Sequence, residues 1–317
     1  MRNYAMLGKW HVHARQYANE INQLPGCRIA KVWDPDADVA KAWAEELGGG
    51  CVPGSVEDIL ADPEIEGVVV CNATNEHTDL ILRCCKSGKA LFTEKVLALK
   101  NEDAEAIRAA VIENHTRFGI SFPHLSEPAT RFVLETAKSG KLGEINYARF
   151  RKAHDGATGN WLPAHFYDPV ACGGGAMIDL GAHPMYLLCE LLGEPQDVKS
   201  TFTHVTGKAV EDNAVSLLTF AKGAIGVSET GFVSKRYPLT FEVGGTEGGL
   251  LMRDEEVVYC CPETGNEWKK AEKLPERLPS PLAQWAMAHA PEEILAGFGI
   301  DAAVRLTRVM VAAYANA

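Results

Sequence analysis

Through the first 122 residues, short apolar runs alternate with stretches whose apolar positions recur every three or four residues. That is the order in which a parallel sheet acquires its covering helices. Residues 4–7 predict a strand, 10–24 a helix, 28–33 a second strand and 39–47 a second helix. Further on, 67–71 reads as a buried strand, 78–86 as a helix, 90–93 as a strand, 102–114 as a helix and 118–122 as a strand. A doubly wound sheet is expected over residues 1–121.

After Phe122 the pattern changes. A helix is predicted over 128–139, a turn at Gly140-Lys141-Leu142-Gly143 and a long alternating strand over 144–153. A helix begins after Gly175 and runs to Leu192, where Gly193 and Pro195 stop it. Strands at 197–206, 212–220, 224–231 and 239–243 come next without intervening helices, and the tail from Pro281 is predicted helical to its end. Strands joined by turns predict an open, mainly antiparallel sheet with helices on one face, so the fold class is α/β with a second domain at 122–317.

Composition narrows the partners. A chain of 317 residues with 46% hydrophobic content can fill two cores. Its net charge of -11 is dispersed, with no run of five like charges, which argues against nucleic acid and anionic membranes as partners. No apolar stretch has the length of a membrane span, and Met1-Arg2-Asn3-Tyr4 leads straight into a strand, so a cytoplasmic location is expected. The nine cysteines include the adjacent pairs Cys84-Cys85 and Cys260-Cys261 but no Cys-x-x-Cys, and read as reduced, mostly buried thiols. His11-x-His13 has the spacing of metal ligands, but no third ligand is in view, and the expectation is no metal.

Candidate chemistry gathers at two places. In Gly173-Gly174-Gly175-Ala176-Met177-Ile178-Asp179-Leu180-Gly181-Ala182-His183, Asp179 and His183 stand four apart, on one face of the predicted helix. An imidazole oriented by a carboxylate can take a proton from an alcohol. A dipole-favoured helix-start acid and a satisfied core histidine would look the same, but the glycine triplet favours the catalytic reading because it brings the helix start close to another group. Upstream, Glu94-Lys95 closes the strand at 90–93, where an ammonium can steady a developing alkoxide.

The first third also has the order of a dinucleotide site: strand, Gly8, helix, strand, Asp34. Asp34 would accept hydrogen bonds from ribose and repel a 2′-phosphate, favouring NAD over NADP. The glycine fingerprint is reduced to Gly8, and Trp10 and His11 are bulky where backbone normally meets phosphate, so the loop takes a wider path, or His11 itself donates to the phosphates, or the site is lost. Thr74, Asn75 and His77 come after the strand at 67–71, at the edge where ligands of such sheets bind. Arg151, His154, Asn160, Trp161 and His165 lead into the glycine triplet and are candidates to line a polyol site, with Trp161 stacking on a sugar ring.

With these residues in hand, the chain resembles the Gfo/Idh/MocA family of oxidoreductases along nearly its whole length. Glu94-Lys95-Val96 is similar to the family's Glu-Lys-Pro, with valine in place of proline, and the run from Gly173 to His183 is similar to its Gly-Gly-Gly…Asp-x-Gly-x-His. The segments Ser139 to Glu144, Val210-Glu211-Asp212-Asn213-Ala214 and Gly245-Thr246-Glu247-Gly248 support it. The resemblance implies a Rossmann domain, a second domain with an open sheet, and a homodimer or homotetramer formed through that sheet. It implies hydride transfer from a ring hydroxyl of a sugar or cyclitol to NAD(P), with Lys95 holding the hydroxyl, His183 as general base, Asp179 touching the substrate or supporting the base, and nicotinamide above Glu94 and Lys95. A ligand-sensing member without turnover, and a hydrolase or lyase that uses tightly held NAD transiently, are the competing readings.

Overall fold

The computed structural model describes residues 1–317. Its first sheet is made by β1 (Arg2–Leu7), β2 (Cys27–Trp33), β3 (Val52–Pro53), β4 (Ile65–Val70), β5 (Ala90–Thr93) and β6 (Phe118–Ile120), in the order β3-β2-β1-β4-β5-β6. Every neighbouring pair is parallel. The connecting helices are α1 (Ala14–Gln23), α2 (Ala37–Leu47), α3 (Val56–Ala61), α4 (His77–Lys86) and α5 (Asn101–Glu113). The central strands are apolar on both faces because both faces are covered: Ala5, Met6, Leu7, Val68, Val69 and Leu91 have no exposed surface. Helix starts follow their caps, with the Asp36 carboxylate accepting from the amides of Asp38 and Val39.

Residues 10–13, predicted helical, form a turn instead, and α1 begins at Ala14. The His11 amide donates to the Cys71 carbonyl at 3.0 Å, tying this turn to the end of β4 rather than to a helical ladder.

The second sheet has eight strands. With α6 (Pro128–Lys138), β7 (Ile145–Ala153), α7 (Pro169–Cys172), α8 (Ala176–Asp179), α9 (Ala182–Leu192), β8 (Asp197–Thr203), β9 (Asn213–Thr219), β10 (Ile225–Gly231), β11 (Thr240–Gly245), β12 (Gly249–Arg253), β13 (Glu256–Cys260) and β14 (Lys269–Lys270), the strand order is β14-β13-β12-β11-β7-β10-β9-β8. Only β7 and β10 run parallel. One face is buried and the other open: in β9, Ala214, Ser216 and Leu218 are buried while Val215 and Leu217 are exposed. The strands β12 to β14 fall outside the predicted set, since each is short and the last has two residues.

The helix predicted from Gly175 to Leu192 is two helices. Pro184 lacks the amide that would donate to Leu180, so the ladder breaks. Shorter and longer bonds replace it, His183 amide to Leu180 carbonyl at 3.1 Å and Gly181 amide to Ala176 carbonyl at 3.0 Å.

By packing, the chain forms two units, Met1–Ser121 with Pro279–Val304, and Phe122–Leu278 with Arg305–Ala317. The stretch 279–304, placed by the sequence pattern in 122–317, packs with the first sheet. Trp285, on α10 (Pro281–Met287), is fully buried there and donates from Nε1 to the Arg117 carbonyl at 3.0 Å. Gly67 and Gly119 make room for it: a Cβ would lie 2.9 Å from its ring at Gly67 and 3.2 Å from its side chain at Gly119. The tail is not one helix either, because short turns at Pro291–Glu293 and Ala296–Phe298 separate α10 from α11 (Ile300–Ala315). No helix is long and apolar enough to cross a membrane. All nine cysteines are free thiols, and burial pushes Cys172 and Cys189 up to about 12.

Candidate active site

In the first unit the candidate residues gather at the carboxyl ends of the strands. Gly8 leaves β1 with φ +89, and a Cβ there would lie 2.7 Å from the Asn72 backbone, so only glycine lets β1 and the loop after β4 approach. Asp34, after β2, is fixed by two amides: Lys9 donates to Oδ2 at 2.8 Å and Asp36 to Oδ1 at 3.0 Å. Thr74 and Asn75 sit in a short turn before α4, Thr74 half-buried and Asn75 exposed.

His77 faces the interior. It is 1% exposed, its Nδ1 lies 3.0 Å from the Val96 carbonyl, and burial holds its imidazole below the usual range. Trp10 is half-buried and His11 buried, so the bulky pair packs against the sheet end.

Glu94 and Lys95 leave β5 almost wholly buried, at 1% and 6% exposure. The Glu94 carboxylate takes a hydrogen bond from the Tyr17 hydroxyl, lies 2.9 Å from His13 Nδ1 and accepts the Lys95 amide at 3.0 Å. Burial pushes its pKa up, but His11, His13 and Lys95 outweigh that and hold it well below the usual carboxylate range. The Lys95-Val96 peptide is cis.

In the second unit the glycine triplet does a different job from the one its sequence suggests. The amides at the helix start are taken: the Glu211 carboxylate accepts from the Gly175 amide at 3.0 Å and the Met177 amide at 2.9 Å, and the Ala176 amide donates to the Glu211 carbonyl at 2.9 Å. Tyr314 donates its hydroxyl to the same carboxylate at 2.6 Å. A Cβ on Gly174 would overlap the Tyr314 hydroxyl, and one on Gly175 the Glu211 carbonyl. The triplet is small so that a buried acid and a tyrosine can close on the start of α8.

Asp179 is the last residue of α8 and half-buried; burial lowers the pKa of His154, and the Asp179 charge opposes that effect. His183, on α9, is 3% exposed, with Nδ1 3.4 Å from the Tyr186 hydroxyl. The two therefore lie on separate helices, not on one face of a single helix. Sequence reasoning missed His124, whose ring meets His183 edge-on at 4.9 Å. Lys152 Nζ lies 3.0 Å from His124 Nε2, and burial together with that ammonium holds His124 well below the usual imidazole range. Its signal was a polar residue just past a strand end, too common to single out.

The other expected readers are scattered in character. Arg151 donates to Ser234 Oγ at 3.0 Å and stacks over Tyr237 at 4.1 Å. His154 stacks on Phe232 at 5.1 Å and meets Trp161 at a tilt, 4.6 Å between ring centres, with Nδ1 accepting the Gly156 amide at 3.0 Å. Trp161 is 55% exposed and donates to Asp155 at 3.0 Å, while Asn160 and His165 are exposed.

The first unit fits a dinucleotide. Two buried polar atoms after β4, Asn72 Oδ1 and His77 Nε2, have no hydrogen-bond partner within the protein, a cost of about 1–3 kcal/mol each that a bound polar ligand relieves. Asp34 follows β2, a position from which an acid can accept from ribose hydroxyls in such folds. The amides of Gly8, Lys9, His11, His13 and Ala14 all donate within the protein, so side chains carry more of the phosphate contact than in a glycine-rich loop.

Comparison with known proteins agrees. The family model described as the oxidoreductase family, NAD-binding Rossmann fold, matches residues 2–122, and the GFO/IDH/MocA C-terminal domain matches 130–251. The chain is 26% identical over 261 residues to 1,5-anhydro-D-fructose reductase of Ensifer adhaerens, covering 80% of this chain and 76% of the relative. It is 27% identical over 257 residues to scyllo-inositol 2-dehydrogenase (NAD(+)) of Bacillus subtilis, covering 78% and 72%. The crystal structure of aldose-aldose oxidoreductase from Caulobacter crescentus complexed with glycerol shares the fold, with a TM-score of 0.81 and 20% identity over 99% of this chain and 97% of that one. The chain belongs to the Gfo/Idh/MocA family and is an NAD-binding oxidoreductase.

Proposed function

We propose that this Gfo/Idh/MocA oxidoreductase oxidises a ring hydroxyl of a sugar, sugar derivative or cyclitol, with Lys95, Asp179 and His183 as its working residues. The observation that carries the reading is Lys95: an ammonium only 6% exposed at the carboxyl end of β5, the edge of such a sheet where a dinucleotide lies. The names of the two relatives, an anhydro-sugar reductase and an inositol dehydrogenase, support a polyhydroxylated ring as substrate.

Bound NAD supplies the hydride acceptor. Asp34 would hold the adenosine ribose, with Asn72, Thr74, Asn75 and His77 at the end of β4 toward the other half. Lys95 donates to the reacting hydroxyl and stabilises the alkoxide as the O–H proton leaves. His183 takes that proton at Nε2, its Nδ1 being turned to Tyr186. Asp179 orients the substrate or supports the imidazolium. Small-molecule substrate apart, the exposed face of the second sheet is the surface through which a homodimer or homotetramer would form.

The test is a panel of inositols, aldoses and anhydro-sugars with NAD, monitored by absorbance of the reduced cofactor. Turnover of at least one is expected, with kcat falling about 10²-fold or more in Lys95→Met and His183→Asn. Absence of oxidation, and of reduction of the matching ketones, would overturn the reading. The internally bonded first loop favours one alternative, a ligand sensor, which calorimetry would reveal as sugar binding without turnover.

A further inference from the structure

The third ligand that the sequence lacks is supplied by the fold. His11 and His13 project from the turn before α1, and β5 delivers Glu94 to the same point from 81 residues beyond His13. One donor atom from each of the three lies within 4.8 Å of the others. His13 Nδ1 is 2.9 Å and His11 Nδ1 3.5 Å from the same oxygen, Glu94 Oε1. Donors about 2.0–2.2 Å from a tetrahedral zinc ion stand about 3.4 Å apart, a separation these two distances bracket.

We propose that His11, His13 and Glu94 form a binding site for a divalent transition-metal ion, with zinc the ion best suited to two imidazoles and a carboxylate. The site is held from outside, as metal sites are. Tyr17 and the Lys95 amide fix the carboxylate, and the His11 backbone is pinned on both sides, its amide to Cys71 and its carbonyl to the Ala14 amide, each at 3.0 Å. The His13 amide reaches His11 Nδ1 at 3.3 Å, a long hydrogen bond that a cation displaces. Glu94 and His11 are buried while His13 is 40% exposed, so an ion enters from the His13 side and keeps one position for water.

Three donors with one open position is a coordination set used for chemistry as well as for structure. The site uses none of the groups assigned to hydroxyl binding or proton transfer. Its failure would leave the dehydrogenase reading standing, and the reverse holds too.

The experiment uses the full chain, stripped with chelator, without nucleotide. Calorimetry with zinc chloride is expected to show one saturable equivalent, weakened at least about tenfold in His11→Ala and in His13→Ala and unchanged in His289→Ala, which removes an exposed histidine elsewhere. Cobalt(II) gives an independent readout: intense visible bands of four-coordinate cobalt in the unsubstituted protein, absent in His11→Ala. Glu94→Gln, checked for its fold by circular dichroism, should lose both signals. No saturable equivalent, undiminished affinity in the two histidine variants, or only the faint bands of six-coordinate cobalt would each overturn the proposal.

Discussion

Lys152 Nζ lies 3.0 Å from His124 Nε2, inside the second unit, and His124 in turn meets the His183 ring edge-on at 4.9 Å. An ammonium against an imidazole is tolerable only while the imidazole stays neutral, which is why burial and Lys152 together depress the His124 pKa.

That pairing predicts an acid limb in stability. The unfolded histidine binds a proton near its ordinary pKa of about 6.5 and the folded one only at lower pH, so the contribution is intact above that value and is lost as pH falls below it toward the folded pKa. Denaturant midpoints between about pH 8 and pH 5 should fall in the unsubstituted protein. In His124→Phe the slope should flatten, by at most about 1.4 kcal/mol per pH unit. Parallel curves would sink the assignment.

Glu211 predicts a purely structural loss. Its carboxylate accepts from two amides at the start of α8 and from Tyr314, and bonds to a charged acceptor are worth about 1.5–3 kcal/mol each. Glu211→Ala should destabilise by about 3 kcal/mol or more in chemical denaturation. A change under about 0.5 kcal/mol, ordinary for a surface site, would contradict the account.

Gly174 and Tyr314 predict a coupling. A Cβ on Gly174 overlaps the Tyr314 hydroxyl, so Gly174→Ala should cost about 1–3 kcal/mol. Combined with Tyr314→Phe, which removes that oxygen, the loss should be smaller than the sum of the singles by about 0.5 kcal/mol or more. Strict additivity would mean the glycine is small for another reason.

Asp34 predicts cofactor preference. Held by two amides, its carboxylate would accept from ribose hydroxyls and would repel a 2′-phosphate. Fluorescence titration should show tighter binding of NADH than NADPH, with Asp34→Ser weakening NADH about tenfold and narrowing the gap, as loss of a bidentate polar contact would. An unchanged ratio would remove Asp34 from the site.

The sequence by itself determined most strands of the two sheets and nominated residues for the chemistry, because both are written locally. Period-two and period-three-to-four patterns predict β1, β2, β4, β5 and β6 of the doubly wound sheet and β7 to β11 of the open one, while the short β3 and β12 to β14 escape them, and Lys95, Asp179 and His183 stand out by their neighbours. Contacts between distant segments are absent from such patterns, and tertiary structure alone decided them. It drew residues 279–304 to the first sheet through Trp285 and filled the glycine triplet with Glu211 and Tyr314. It also set His124 against His183 and Glu94 between His11 and His13. Each depends on burial bringing together groups tens to hundreds of residues apart, and no window along the chain contains both partners.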